Sequence, residues 1–153
     1  MTYQKGFTLI EMLVVIAIIG ILSGIFGWNL LRSIRSAELR EATTNFASDL
    51  RRARSQAQRG SADMVVALPS GTAEVTQYTV SGKTIPVANR VKMICKSGCS
   101  ATEKSLTYQA PFGELDRPQG YVFEFISPMS DLNRTQVKVV GVTGKVIIAG
   151  GGS

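Results

Sequence analysis

Histidine is missing from this chain of 153 residues. Its absence excludes His-centred triads, imidazole metal ligands and imidazole acid–base work. No glycine-rich phosphate loop or Walker pattern stands in the sequence. No other nucleophile or acid–base constellation appears, so the chain is not expected to be an enzyme. No cofactor and no metal are expected, because Cys95 and Cys99 are the sole cysteines and lack further ligands. Proline is absent between residues 7 and 60, and no glycine falls between Gly27 and Gly60. That stretch therefore lacks the residues that stop a helix. Charge is nearly missing from residues 7–31, where Glu11 stands alone.

What is there begins with that apolar stretch. The 25 residues from Phe7 to Leu31 are mostly Leu, Ile and Val. As a helix they would reach about 37 Å at roughly 1.5 Å per residue. That crosses a hydrocarbon core of about 30 Å with some tilt. A secretory signal peptide would need a small-x-small cleavage site after the run. Leu31-Arg32-Ser33-Ile34-Arg35 supplies no clean one. A plain signal anchor would explain the length but not Glu11. A carboxylate inside a membrane-spanning helix costs on the order of a few kcal/mol and calls for a partner.

The helical pattern continues beyond the run. Leu39, Thr43, Phe46, Leu50, Ala53 and Ala57 recur at intervals of three and four. That spacing marks one face of an amphipathic helix. Arg35 with Glu38, and Asp49 with Arg52, stand three apart, each pair worth about 0.2–0.5 kcal/mol on a helix surface. Gly60 is the expected stop. The spacing thus predicts one helix of about fifty residues, apolar over 7–31 and amphipathic over 32–59.

From Ser61 the period changes. Met64–Leu68, Glu74–Val80, Ile85–Val87, Val91–Ile94, Leu106–Gln109, Tyr121–Ile126, Gln136–Val142 and Lys145–Ala149 read as short strands. Pro69-Ser70-Gly71 and Ser81-Gly82 read as turns, and Thr143-Gly144 as a tight hairpin. Pro86 weakens the third strand. One long helix beside turn-rich antiparallel strands is an α+β class. Residues 61–149 would form the β-rich domain and 150–153 a flexible glycine-rich tail.

Four arginines, Arg51, Arg52, Arg54 and Arg59, cluster late in the helix. They read either as a solvated face complementing the helix dipole, or as a contact with a neighbouring subunit or DNA. The net charge of +6 allows weak contact with phosphates.

Gly6-Phe7-Thr8-Leu9-Ile10-Glu11 resembles the processing site of type IV prepilins and of the pseudopilins of type II secretion. Leu50–Ser61, the Leu106–Gly113 strand and turn, and Val142-Thr143-Gly144-Lys145-Val146 resemble segments of the GspH/FimT family of minor pilins and pseudopilins. The resemblance implies a pilin fold and a leader, residues 1–6, cut after Gly6 by a prepilin peptidase. It implies methylation of the new amine on Phe7. Glu11 would then pair with the Phe7 amine of a neighbouring subunit, setting the stagger of a fibre. The implied partners are other pilins or pseudopilins and an inner-membrane assembly platform. The chain would cross the inner membrane once before assembly, with its β domain outside and, later, in a fibre. That compartment is oxidising, so Cys95 and Cys99 are expected to form a disulfide.

Two functional classes stay open. One is a structural subunit of a type IV pilus or a type II secretion pseudopilus. The other is a pilus subunit that binds DNA during uptake. Some FimT-like relatives carry a Gly-Arg-x-Arg hairpin associated with DNA. The matching residues here are Gly144-Lys145-Val146-Ile147, with lysine for the first arginine and isoleucine for the second. Arg134, Lys138 and Lys145 are the candidate DNA contacts.

Overall fold

The structure, a computed structural model, describes residues 7–150. Contacts close on themselves in two units, one ending at Ile34 and one running from Arg35 onward. Helix α1, Leu9–Gly60, supplies the first unit and opens the second.

In the first unit every described side chain is exposed. The helix passes the length and hydropathy test for a membrane span. Gly20, Gly24 and Gly27 sit in it with open space around them. Its start is a capped one. Thr8 precedes the first helical residue, and its Oγ1 accepts a hydrogen bond from the Glu11 N–H at 3.3 Å. Thr8-x-x-Glu11 is the capping-box spacing, and a carboxylate in the first turn suits the positive end of the helix dipole.

The second unit puts the rest of α1 against two antiparallel sheets. The strands are β1 (Met64–Ala67), β2 (Gln77–Val80), β3 (Lys83–Pro86), β4 (Lys92–Ser97), β5 (Ser105–Gln109), β6 (Glu114–Leu115), β7 (Tyr121–Ile126), β8 (Thr135–Val139) and β9 (Val146–Gly150). One sheet runs β3-β2-β1-β5-β6 and the other β4-β7-β8-β9. A bridge between Val75 and Met93 links the chain leading into β2 with β4.

Leu39, Ala42, Thr43, Phe46, Ala47, Leu50, Ala53 and Ala57 are the buried face of α1. Small residues at 42, 47, 53 and 57 let the helix lie close, while Phe46 fills the space between the sheets. Its ring stands 4.9 Å from Tyr78 in the first sheet, and 5.0 and 5.5 Å from Phe123 and Phe125 in the second. The alternation within β7 and β8 supplies another part of the core. Tyr121, Phe123 and Phe125 pair across with Val139, Val137 and Thr135, so one face of the sheet is aromatic and apolar.

The structure corrects several expectations from sequence. Strand β2 starts at Gln77, with Val75 held only by its bridge. Strand β6, two residues long, carries too little pattern to be seen in sequence. The last hairpin is wider than a two-residue turn. Val139 pairs with Val146, Val140 N–H donates to Lys145 O, and residues 141–144 make the loop. Gly150, assigned to the tail, pairs with Thr135 and closes β9. Residues 151–153 of that tail lie outside the described residues. Asp49 does not pair with Arg52; it accepts a 2.6 Å hydrogen bond from the Tyr78 hydroxyl. Arg35 and Glu38 do pair, at 2.8 Å.

Candidate functional site

The motif residues Leu9–Glu11 open α1. Gly6 lies outside the described residues. Phe7 and Thr8 precede the helix, and Phe7 is exposed. The helix begins at Leu9, so Phe7 and Thr8 lie ahead of its hydrogen-bonded ladder. Glu11 sits one turn in. The Thr8 cap holds the backbone of this turn in one geometry, and its sequence signal was the Thr-x-x-Glu spacing itself. The cap uses the Glu11 backbone N–H and leaves the role of its carboxylate to be argued separately.

The second group of residues belongs to the β domain. Cys95 and Cys99 are bonded, with Cα atoms 6.0 Å apart. The small ring they close ends β4, where the pairing with β7 shifts between Cys95 and Ser97. Gly98 inside the ring has φ +92°, and a Cβ there would meet the Tyr121 ring at 2.6 Å. The ring is thus packed onto the start of β7.

Beside it, Glu124 is a buried carboxylate, 4% exposed. Arg134 donates to Oε2 at 2.9 Å, Gln136 to Oε1 at 3.2 Å, and Lys96 lies 3.5 Å away. Burial pushes the Glu124 carboxyl up, but the Arg134 and Gln136 hydrogen bonds and the Lys96 and Arg134 charges outweigh it. The result lies below the ordinary carboxylate range. Arg134 therefore serves a buried acid. Lys138 and Lys145, the other two DNA candidates, are exposed and carry no ion pair among the described residues. The three are not one free basic patch.

The arginine cluster also splits. Arg51 donates to Val146 O at 3.3 Å, on β9, and Arg54 to Gly113 O at 3.3 Å. Gln58 donates to Phe112 O at 3.0 Å. These bonds clamp the Pro111–Gly113 turn and the last strand to the helix. The turn tolerates no side chain at its end: Gly113 has φ +66°, and a Cβ there would press on Gln58 and Arg54 at about 3.0 Å. Arg52 and Arg59 make no such bond and line an open hollow beside Met64 and Ser81. Among the described residues no group of three or more His, Cys, Asp or Glu could hold a metal.

Comparison with known proteins fits this arrangement. Residues 1–27 match the prokaryotic N-terminal methylation motif. In fold, the chain is similar to the type IV minor pilin FimU of Pseudomonas aeruginosa PAO1, with TM-score 0.58 and 15% identity over 74% of this chain and 90% of that one. The minor pseudopilin EpsH of the Vibrio cholerae type 2 secretion system gives TM-score 0.57 and 13% identity over 76% and 99%. The chain is prepilin-like and has the pilin fold. No curated protein matches its sequence. Likeness at such low identity transfers the layout of helix and sheets. It does not transfer the role of any one surface residue, and the split arginine cluster shows why each must be read by itself.

Proposed function

We propose that the chain is a structural subunit of a type IV pilus or of a related secretion pseudopilus. One observation carries the reading: an N-terminal methylation motif opens a helix whose apolar half finds no cover in its own chain, followed by a pilin fold. Such a surface must be covered by lipid before assembly and by other helices after it. The role is structural rather than catalytic.

In this reading a prepilin peptidase cuts between Gly6 and Phe7 and methylates Phe7. Cutting creates a positive amine about one helical turn before Glu11. Pairing the amine of one subunit with Glu11 of the next offsets the desolvation that each charge would suffer alone. It also ties the axial register of neighbours to one contact. The β domain stands outside the inner membrane, a placement supported by the Cys95–Cys99 bond. The membrane assembly platform and other pilins or pseudopilins are the partners. The DNA-binding alternative is not favoured, because Arg134 is held by Glu124.

The test is the composition of the fibre. Fibres sheared from cells, or pseudopili gathered from the envelope, should contain the chain starting at N-methylated Phe7. Intact mass reads both changes at once. A chain that retains Met1–Gly6, or that never enters the fibre fraction, would contradict the proposal.

A further inference from the structure

Three hollows line one flank of α1 in the β domain, of about 790, 310 and 230 Å³, and Arg52 lines all three. One wall is the helix. The other is the β2–β3 hairpin, with Ser81 and Lys83 at its tip and Ile85 further along. The floor is apolar: Met64, Val80 and Ile85 are only half-buried there.

The rim is cationic. Arg52, Arg59 and Lys83 have no ion-pair partner among the described residues. The one acid of the groove, Asp49, accepts the Tyr78 hydroxyl. Arg59 sits in the last helical turn, where its charge complements the dipole. Arg52, two turns earlier, has no such duty. Its neighbours Arg51 and Arg54, on the other flank, are both spent on backbone carbonyls. A channel with half-covered apolar side chains below and three cations against the single carboxylate of Asp49 above is complementary to an extended segment with alternating apolar and acidic side chains. A nucleic acid backbone has no use for the apolar floor, and three cations give it few contacts.

We infer that this groove receives an acidic segment of a neighbouring protein subunit, with Arg52 as its central contact. The inference rests on the fibre-subunit reading and names the face through which the β domain meets its neighbour. It assigns the unused half of the arginine cluster to recognition and the other half, Arg51 and Arg54, to folding.

The test uses the full-length chain in its own membrane, with the photocrosslinker p-benzoylphenylalanine at Gln56 or Ala62 in the groove, or at Thr44 as an outside control. Crosslinked peptides are sequenced. Gln56 and Ala62 should trap a segment bearing Asp or Glu from another subunit that itself carries an N-terminal methylation motif. Thr44 should not trap that segment. Arg52→Glu with Arg59→Glu should lower the yield at least ten-fold. Arg40→Glu, exposed on α1 but outside the hollows, should leave it unchanged. Changing the trapped acid to Lys should restore it. An unchanged yield, a trapped segment without acids, a trapped nucleic acid or no trapping at all overturns the groove inference. Arg52→Gln with Arg59→Gln checks that reversal does not act by unfolding: it should lower the yield too, with the melting temperature unchanged. A subunit still found in sheared fibres while the groove fails leaves the fibre reading standing. A subunit absent from fibres overturns that reading, whatever the groove traps.

Discussion

Residues 9–34 and 35–60 share one helix and little else. The first stretch buries none of its side chains; the second buries eight. The first is rich in Ile and Gly and the second in Ala and Arg, yet both are helical, so propensity does not explain the difference in burial. What separates them is where the apolar side chains lie. In the second stretch they fall on one stripe, and two sheets accept it. In the first they go all round, as expected of a helix whose solvent is lipid or other helices. One stretch is stabilised inside the chain. The other is left to its surroundings, and the proposed pairing of charges follows the same division: Glu124 has its partners in the fold, and the partner proposed for Glu11 lies on a neighbouring subunit.

This contrast makes ordered predictions. The largest effect should come from Phe46, which touches both sheets. Phe46→Ala should destabilise the β domain by about 3–5 kcal/mol, read by urea unfolding of the detergent-solubilised chain. An equally drastic cut in the apolar stretch, Phe26→Ala, should leave the same transition unmoved. A near-zero effect at Phe46 would erase the distinction between the two stretches.

Next is the disulfide. Replacing Cys95 and Cys99 by Ser removes a small ring. The chain-entropy account gives about 2 kcal/mol for a loop of five residues. The loss should appear as a lower urea midpoint with little change in slope.

A smaller effect concerns acid. The folded state holds the Glu124 carboxyl below its ordinary value, so the folded form binds its proton less readily than the unfolded chain. Glu124 therefore contributes stability that is fully present above the unfolded value, near pH 4.5, and is lost as pH falls through the lower folded value. Glu103, lowered first by its hydrogen bond from Arg117, acts in the same direction from the surface. Glu124→Gln should flatten the decline below about pH 4.5 without abolishing it. An unchanged pH profile would show that the Arg134 contact does not matter to folding.

The smallest effect is at Tyr108. Its hydroxyl is buried without a hydrogen-bond partner among the described residues, and burial pushes its pKa up. Tyr108→Phe removes a desolvated group and leaves no partner unsatisfied. Stability should stay level or rise by up to about 1 kcal/mol. A clear loss would mean the hydroxyl has a partner in solution.

Much of this was legible because it is periodic or local. The Leu39–Ala57 stripe shows its spacing, and Tyr121–Ile126 alternates so plainly that its bounds were read correctly. The Thr8–Glu11 cap was not read, because Glu11 stood out as a charge in an apolar run. Contacts between distant segments were not legible. Asp49 looked like a partner for Arg52, three residues away, until the fold brought Tyr78 to it. Arg134 looked free until β7 placed Glu124 beneath it. The four arginines look alike in sequence, and only the position of β9 and the 111–113 turn divides them. The Val75–Met93 bridge that links the two sheets has no local sign.

The central claim is that the carboxylate of the N-terminal stretch serves assembly, while the β domain folds on its own core. Glu11→Val tests it most directly, measured by the amount of chain in sheared fibres beside the amount in the membrane, with the unfolding midpoint of the β domain as a third reading. The account predicts normal membrane insertion, an unchanged midpoint and loss of the chain from the fibre. Thr8→Val alone should leave incorporation largely intact, which separates loss of the cap from loss of the carboxylate's partner. Normal incorporation of the Glu11→Val chain into fibres would contradict the account.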